Sequence, residues 1–410
     1  MVKNNNSNIN VNYDTIIVGA GPAGSTAAYL LAKSGIKSLL IDKSNFPRYK
    51  LCGGLLSNKT INLLEIIYGE TEKSLTKKGI IKYTPHYYKF FYKTKLIIDK
   101  ETKDNLFFIN REDYDYFLLN KVREAGSEIL LGETVEDIDP NSHAIITSKG
   151  KKIHGKLIIG ADGANSIIRR KAFSSETDPS IKGIKNLAIA LQIDLPLNQI
   201  RKGTVIDSLT NSTSLFFDFI RYGYSWVFPN KTFLKIGIGG LQSKNKSSIF
   251  SLFSKFLSFL GVDSFFINDA KGAPVPLGNY LSKPIKDSVI LIGDAAGCVD
   301  PLTGEGIYYA HKSAELAARA ICNSFRDNAS LEYLYLNELH KYIFSEIDWA
   351  LKLRDLIFEK TKIIPINYTI KYLKKYDYIL LDLVSGKISY SDVFNRLKME
   401  SPLWKTVFMR

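Results

Sequence analysis

Hydrophobic positions near the start of the chain follow a strand, helix, strand pattern. After a polar, asparagine-rich stretch comes the apolar run Asp14–Val18, which is typical of a buried parallel strand. This run leads into the glycine-rich segment 19–24, and small and apolar residues then recur at helical spacing until Gly35. Residues 37–42 are again apolar and end in an acid. The pattern predicts a βαβ unit of about 30 residues.

Aromatic and β-branched residues are concentrated in two later segments, 83–99 and 187–240, which predict antiparallel strands of a second lobe. Between them, residues 111–124 show a helical pattern and residues 156–160 a buried strand, so the nucleotide-binding lobe is predicted to consist of non-contiguous pieces. Residues 247–260 (SSIFSLFSKFLSFL) carry apolar side chains at helical spacing. We expect a helix packed on the core there, in preference to one that dips into a membrane. From Glu332 onward the pattern is mostly helical and charged.

Composition narrows the class of protein. The 410 residues, 45% of them hydrophobic, can bury a large core and are too many for one simple domain. Neither a bilayer-spanning apolar run nor a signal peptide is apparent, so we expect a cytoplasmic protein. The net charge of +14 is spread along the chain without a basic block, which argues against nucleic acid and leaves peripheral contact with a membrane surface open. The three cysteines form no CxxC pair, and the five histidines show no metal spacing, so no metal site is predicted.

The glycine-rich loop after the first strand has the GxGxxG spacing of a dinucleotide-binding fold. Gly19 permits the tight turn, Gly21 lets the backbone approach a pyrophosphate, and Gly24 lets the helix pack closely on the strand. The helix N-terminus offers N–H groups and partial positive charge to phosphates, and Asp42 can accept hydrogen bonds from ribose hydroxyls. An ordinary tight turn would not require all of these features together, so we predict dinucleotide binding.

Two further segments resemble cofactor-binding elements of FAD enzymes of the glutathione-reductase-like class, the hydroxylase branch in particular. They are GADGANS at 160–166, followed by Arg169, and VILIGDAAG at 289–297, which contains Asp294. Arg111 matches a position where these enzymes have a cofactor-contacting arginine, although a plain helix-start arginine explains it equally well. The segment PLTGEGI at 301–307 heads a helix whose N–H groups are expected to face the flavin near N1 and O2.

Two motifs narrow the resemblance to the geranylgeranyl reductase family. The segment FPRYKLCGG at 46–54 resembles that family's FPRxKxCGG element, and YSWVFP at 224–229 matches its YxWxFP element. The segment GKISYSDV at 386–393 is similar, more weakly, to its C-terminal region. The resemblance implies reduction of carbon–carbon double bonds in a prenyl chain of a lipid, chlorophyll precursor or quinone. Electrons would come from NADPH, ferredoxin or another reduced carrier.

The candidate catalytic residues are Cys52 and Tyr224. The resemblance puts the Cys52 loop beside the flavin, whereas burial as a small packing residue is the alternative. A proton must reach the alkene carbon that does not receive hydride, and water, Tyr224 or Cys52 could each supply it. Cys298 and Cys322 are expected to be structural. Because residues 224, 226 and 228 alternate along a strand, their aromatic rings are expected to share one face and line an apolar tunnel or a core.

Three other functions compete with prenyl reduction. Flavin monooxygenases, including hydroxylases of apolar substrates, share the cofactor framework, because a fold does not fix a function. Halogenases carry a WxWxIP element, from which Tyr224 and Phe228 depart. A non-catalytic flavin-bound protein at a membrane surface is the third alternative, and the intact set of cofactor elements speaks against it.

The predicted fold class is α/β, with a Rossmann-type FAD-binding domain interleaved with an antiparallel-sheet substrate domain and followed by a helical tail. The FAD-binding domain comprises 13–82, 107–182 and 283–325, the substrate domain 83–106 and 183–282, and the tail 326–410. The substrate-binding candidates are Tyr224, Trp226, Phe228 and Pro229. The cofactor-binding candidates are Gly19, Gly21, Ala23, Gly24, Asp42, Lys43, Cys52, Gly53, Arg111, Asp162, Gly163, Asp294, Gly304, Gly306 and Ile307.

Overall fold

The computed structural model of the protein describes residues 12–102, 106–173, 186–360, 374 and 377–400. The polar start of the chain and parts of the predicted tail (361–373, 375–376 and 401–410) lie outside the described residues. In chain order the strands are β1 Tyr13–Val18, β2 Ser38–Asp42, β3 Leu55–Leu56, β4 Ile81–Tyr83, β5 Tyr87–Tyr92, β6 Lys95–Glu101, β7 Phe107–Ile109, β8 Glu128–Leu131, β9 Val135–Asp139, β10 Ala144–Thr147, β11 Lys152–Gly160, β12 Leu187–Pro196, β13 Ser212–Phe217, β14 Gly223–Pro229, β15 Phe233–Leu241, β16 Lys271–Pro276, β17 Ile285–Lys286 and β18 Val289–Leu291.

The α-helices are α1 Pro22–Lys33, α2 Asn58–Tyr68, α3 Glu72–Lys77, α4 Arg111–Glu124, α5 Ile167–Ala172, α6 Ile249–Leu260, α7 Gly293–Ala296, α8 Ile307–Asp327, α9 Leu331–Leu339, α10 Ser345–Asp355, α11 Asp377–Ser385 and α12 Tyr390–Glu400. Two π-helical segments, His340–Phe344 and Leu356–Lys360, adjoin the ends of α10. Within the described residues, no helix combines the length and the apolar character needed to cross a bilayer.

The first sheet has the Rossmann-type arrangement that the βαβ pattern predicts. Its main path runs β17, β18, β11, β1, β2, β8, with β9 and β10 attached through β11. Strand β1 is parallel to both β2 and β11, and β18 is parallel to β11. The strands are apolar because both faces of the sheet are covered: Ile16 and Ile17 are fully buried, and α1 packs against α8 over the same core. Strand β11 lies between β1 and β18 although it is distant from both in sequence, so this sheet is built from separate parts of the chain.

The second sheet unites the two aromatic segments. Its seven strands run β16, β12, β15, β14, β13, β5, β6. All neighbouring pairs are antiparallel as predicted, except β13 and β5, which are parallel. These two strands are separated by more than a hundred residues, so no hairpin requires them to run in opposite directions.

Helix α6 packs on one face of this second sheet. The side chains of Phe253 and Phe256 are completely buried there, while Phe250 stays about half exposed. Ser248 caps the start of the helix, and Gly261 ends it in a left-handed conformation. The prediction of a helix packed on the core is therefore confirmed.

A small sheet of β3, β7 and β4 connects the glycine-rich lobe with the second sheet. Helices α9 and α10 continue from α8, and α12 packs against α10. Residues of α10, α11 and α12 form a separate apolar cluster that includes Leu353, Leu383 and Val393. The C-terminal helices α11 and α12 are thus anchored to α10.

Candidate active site

A cavity of about 860 Å³ lies between the carboxyl edge of the first sheet and the inner face of the second. Its size is ample for a ligand pocket. The sequence-predicted site residues that line it are Gly19, Gly21, Ala23, Asp42, Lys43, Cys52, Gly53, Arg111, Asp162, Gly163, Tyr224, Trp226, Phe228, Asp294, Gly304, Gly306 and Ile307. Gly24 and Pro229 are the two predicted site residues that do not line it.

The glycine loop 19–24 has the shape that its spacing requires. Gly19 has φ +105°, and a Cβ atom there would lie 2.4 Å from the Ala161 carbonyl oxygen. A Cβ on Gly24 would lie 1.8 Å from the Gly19 carbonyl oxygen, so this glycine serves close packing of the helix on the loop. Gly21 differs, because its nearest neighbour would be Arg48 Nη2 at 3.8 Å. The space beside Gly21 is open to the cavity, as a close approach of pyrophosphate to the backbone demands.

Two of the three predicted aspartates of this lobe also fix the backbone of their surroundings. Asp42 accepts hydrogen bonds from the amides of Ala20 and Ser44, at 2.7 and 2.8 Å, and it lines the cavity. Asp162 Oδ2 accepts the amide of Ile167 at 2.7 Å, while the buried Oδ1 has no hydrogen-bond partner among the described residues. Burial raises the pKa of Asp162.

Two arginines converge on the buried Asp115. Arg111 holds it with two hydrogen bonds, Nε to Oδ1 at 2.7 Å and Nη2 to Oδ2 at 2.8 Å, and Arg48 Nη2 lies 3.2 Å from Oδ2. Arg48 Nη1 is buried without a partner in the part of the chain that the structure describes, and Arg48 lines the cavity. A buried donor of this kind calls for an anionic acceptor. Arg48 belongs to the FPRYKLCGG segment but was not among the site residues predicted from the sequence.

Asp294 lines the same part of the cavity as the charged side chains of Lys50 and Arg111. Burial raises the pKa of Asp294, and the positive charges of Lys50 and Arg111 oppose that rise. Burial and the Arg111 charge lower the pKa of Lys50, which also lines the cavity. This half of the cavity is therefore rich in hydrogen-bond donors and cations, as a phosphate-bearing cofactor requires.

The residues 300–305, here called the 300–305 turn, form the wall at the start of α8. Asp300 Oδ1 accepts the amides of Leu302 and Thr303, both at 2.8 Å, and Gly304 has φ +73°. Glu305 is held by Ser57 Oγ at 2.7 Å and by Lys59 Nζ at 2.6 Å. The turn is thus fixed from several sides with the N-terminus of α8 toward the cavity.

The other half of the cavity is aromatic and apolar. Tyr224, Trp226 and Phe228 lie on one face of β14, with ring centroids 6.0 and 6.1 Å apart in succession. The indole of Trp226 covers Gly237 of β15, since a Cβ on Gly237 would be 2.1 Å from Trp226 Cζ2. The Tyr224 hydroxyl donates to the Thr303 carbonyl, and burial raises the pKa of this phenol.

Cys52 sits where the two halves meet. Its Sγ accepts the amide of Gly54 at 3.3 Å, and the loop is held from below by buried Lys235, whose Nζ lies 3.4 Å from the Cys52 carbonyl oxygen. Gly53 is pressed against the ring of Phe228, 2.9 Å from a Cβ position. By contrast, Cys298 is fully buried, and burial raises the pKa of its thiol to about 12, as expected for a packing residue.

Sequence reasoning missed the C-terminal contribution to this wall. Phe358, in the π-helical segment after α10, stacks on Tyr222 with centroids 5.0 Å apart, and both residues line the cavity. Val384 of α11 packs with the β14 aromatics. Neither residue stands in a motif, so no local signal identified them.

Comparisons with known proteins agree with this geometry. A family described as FAD binding domain matches residues 12–214. The chain is 32% identical over 336 residues to an uncharacterised protein of Methanosarcina barkeri, covering 80% of both chains. It is 29% identical over 319 residues to a geranylgeranyl diphosphate reductase of Rhodobacter capsulatus, covering 75% of this chain and 74% of the relative. The crystal structure of a geranylgeranyl bacteriochlorophyll reductase-like protein from Thermoplasma acidophilum has the same fold, with a TM-score of 0.71 at 20% identity over 95% of this chain and 96% of that one.

Proposed function

Because the chain belongs to the geranylgeranyl reductase family of FAD-dependent oxidoreductases, we propose that it saturates carbon–carbon double bonds of a prenyl chain. The substrate would be a geranylgeranyl or similar chain on a lipid, a chlorophyll precursor or a quinone. The observation that carries the proposal is the two-part cavity. A glycine-lined, cationic half opens directly into an aromatic and apolar half.

FAD fits the cationic half. The open space beside Gly21 and the unpaired, buried Arg48 Nη1 suit its pyrophosphate, and Asp42 suits its adenosine ribose. The N-terminus of α8 and Gly304 to Ile307 would lie along the flavin, where partial positive charge stabilises its reduced form. When bound, FAD supplies hydride transfer, and the protein supplies geometry and surroundings.

The apolar half suits a prenyl chain. The rings of Tyr224, Trp226 and Phe228 offer it a wall, and the small side chains of Ala188 and Ala190 on β12 line the same cavity two strands away in the same sheet. An apolar cavity that excludes water favours binding of an isoprenoid over a polar substrate, because burying an unpaired charge there costs free energy. The substrate therefore needs no charged partner along its chain.

Saturation adds hydride to one alkene carbon and a proton to the other. We propose that Tyr224 and Cys52 hold and deliver this proton, since the phenol and the thiol are the groups at the junction of the two halves. Tyr224 is kept protonated by burial, which raises its pKa, and its hydroxyl is oriented by the Thr303 carbonyl. Water is the competing donor.

Electrons would come from NADPH, ferredoxin or another reduced carrier. A lipid-borne prenyl chain resides in a bilayer, so we also propose peripheral contact with an anionic membrane surface, which the net charge of +14 favours. We expect the protein to co-sediment with anionic vesicles but not with neutral ones, and high salt should abolish this binding because it screens the charges.

Anaerobic turnover tests the reaction. The purified flavoprotein, a chemical reductant and a geranylgeranyl lipid should give products heavier by multiples of about two mass units, since two hydrogens are added per double bond. Trp226→Ala should chiefly weaken substrate binding, because it removes a large part of the wall. Trp349→Ala is the matched control, since Trp349 packs on Phe394 and does not line the cavity. A product that forms only with oxygen and gains about sixteen units would instead assign the protein to the monooxygenases.

A further inference from the structure

The C-terminal segment 386–393 makes contacts that the proposed reaction leaves unexplained. Its backbone passes close to α2, since a Cβ on Gly386 would be 3.0 Å from Lys59 Cβ. Ser389 and Asp392 then exchange hydrogen bonds between side chain and amide, at 3.1 and 3.2 Å, and so fix the start of α12. The segment is therefore held in one position against the lobe that carries the 300–305 turn.

Tyr390 connects this segment to the turn. Its ring is buried, its amide lies 3.2 Å from Glu346 Oε2, and its hydroxyl donates to Asp300 Oδ2 at 2.5 Å. Asp300 is itself only 1% exposed. A buried carboxylate needs such a donor, because an unpaired buried charge is costly.

Asp300 transmits the position of Tyr390 to the cavity. Its second oxygen, Oδ1, holds the amides of Leu302 and Thr303, and its backbone closes the turn with Glu305 and Gly304 at 3.1 and 3.0 Å. The Thr303 carbonyl in turn accepts the hydroxyl of Tyr224. One continuous series of hydrogen bonds thus runs from the C-terminal helix α12 to the phenol in the aromatic wall.

We propose that Tyr390 is a positioning residue, which fixes the 300–305 turn through Asp300 and thereby sets both the grip on FAD and the orientation of Tyr224. Without the phenol hydroxyl, Asp300 Oδ2 loses its donor, and the carboxylate must turn toward water or another donor to regain one. That movement releases the amides of Leu302 and Thr303. The inference rests on the proposed placement of FAD beside the turn.

Tyr390→Phe isolates the hydroxyl, since the ring still fills the cluster formed by Leu353, Leu383 and Val393. The matched control is Tyr280→Phe, which removes a hydroxyl that donates to Asp348 on α10, also at 2.5 Å. Tyr280 holds α10 of the same C-terminal region, and it is not among the residues that line the cavity.

The dissociation constant of FAD is measured on both variants together with the visible absorption of the bound flavin. We expect Tyr390→Phe to bind FAD about five- to tenfold more weakly, as loss of a charge-assisted hydrogen bond implies. Its flavin band should shift, and alkene-dependent flavin reoxidation should slow without a change in KM. Tyr280→Phe should stay within about twofold of wild type in all three. Equal FAD affinity and identical spectra in the two variants would reduce Tyr390 to a packing residue.

Asp300→Ala tests whether Tyr390 acts on the 300–305 turn through Asp300. If Tyr390 acts through Asp300, adding Tyr390→Phe to this variant should weaken FAD binding by less than about twofold. A further loss as large as in the wild-type background would overturn that route. Thermal unfolding of each variant confirms that the chain is folded. Because FAD binding is read without a substrate, a failure to reduce prenyl chains would contradict the proposed function and leave this test intact.

Discussion

Replacing Gly237 with alanine should displace the indole of Trp226 and disturb the aromatic wall. The two residues are register partners on β15 and β14, and the ring of Trp226 covers the position where the new methyl group would stand. The Cβ would lie 2.1 Å from Trp226 Cζ2, 2.4 Å from Cε2 and 2.8 Å from the Leu191 carbonyl oxygen. Both a side chain and the neighbouring strand β12 therefore oppose the substitution.

The size of the effect follows from these distances. Carbon atoms in contact sit at about 3.5 to 4.0 Å, so the ring must retreat by roughly 1.5 Å. Overpacking of this kind typically costs about 1–3 kcal/mol. Gly239 provides a matched comparison on the same strand, because its Cβ would lie 3.4 Å from Ala190 Cβ and 3.5 Å from Trp226 Cζ3. Gly239→Ala should leave the free energy of unfolding nearly unchanged, because the new methyl group makes ordinary van der Waals contacts. It also lowers the conformational entropy of the unfolded chain, which typically stabilises the folded state by about 0.4–1 kcal/mol.

Thermal unfolding, followed by the fluorescence of released FAD, measures the difference between the two variants. Gly237→Ala should melt several degrees below Gly239→Ala, and under the proposed function its KM for a prenyl substrate should rise while FAD stays bound. Equal melting temperatures together with equal KM values would show that Trp226 does not depend on the glycine beneath it.

Three further substitutions test other parts of the molecule. Gly21→Val should yield folded but colourless protein, because the side chain fills the open space beside the loop; a yellow variant with a full complement of FAD would contradict this. Cys52→Ala should retain FAD and accept electrons yet show slower alkene-dependent reoxidation of the flavin; wild-type reoxidation rates would leave the thiol a packing role. Burial lowers the pKa of His311 from 6.5 to about 3. Between these two pH values the unfolded chain binds a proton at this histidine and the folded chain does not. The free energy of unfolding should therefore fall by up to about 1.4 kcal/mol per pH unit as the pH drops from 6.5 toward 3. Urea unfolding of His311→Gln at several pH values should show a weaker dependence of the unfolding free energy on pH. The substitution also changes the contacts of His311 with Thr26 and Tyr114. An unaltered pH dependence would show that His311 does not cause it.

The sequence predicted those features that local chemistry determines. The loop at Gly19, the strand that ends at Asp42 and the helix that begins at Arg111 each follow from patterns within a few residues, and the structure has all three. The alternation of Tyr224, Trp226 and Phe228 likewise predicted a shared face. The period of a strand is enough to establish that, whatever the strand packs against.

Long-range partners were not predictable in the same way. Arg48, in the loop after β2, meets Asp115 of α4, and Tyr390 of α12 meets Asp300 of the turn before α8, only because the fold brings distant parts of the chain together. The position of Phe358 was not predictable either, because an aromatic residue in a charged helical segment can equally well face solvent, the core or a cavity. Such contacts depend on topology, which a single sequence encodes only through all of its elements at once.

Strand β12 shows why the cavity itself was hard to foresee. Its odd-numbered positions Leu191, Ile193 and Leu195 are bulky and pack beneath α6, whereas Ala188 and Ala190 point to the opposite face and line the cavity. At positions 187–191 the residues on both faces are apolar, so a hydrophobicity pattern predicts only that this part of the strand is buried. What distinguishes them is side-chain volume, because a packed interior needs atoms to fill it and a binding cavity needs their absence. The two alanines therefore leave open space on the sheet face that also carries the three large aromatic side chains of β14, and this difference in side-chain volume is a signal that hydrophobic periodicity does not register.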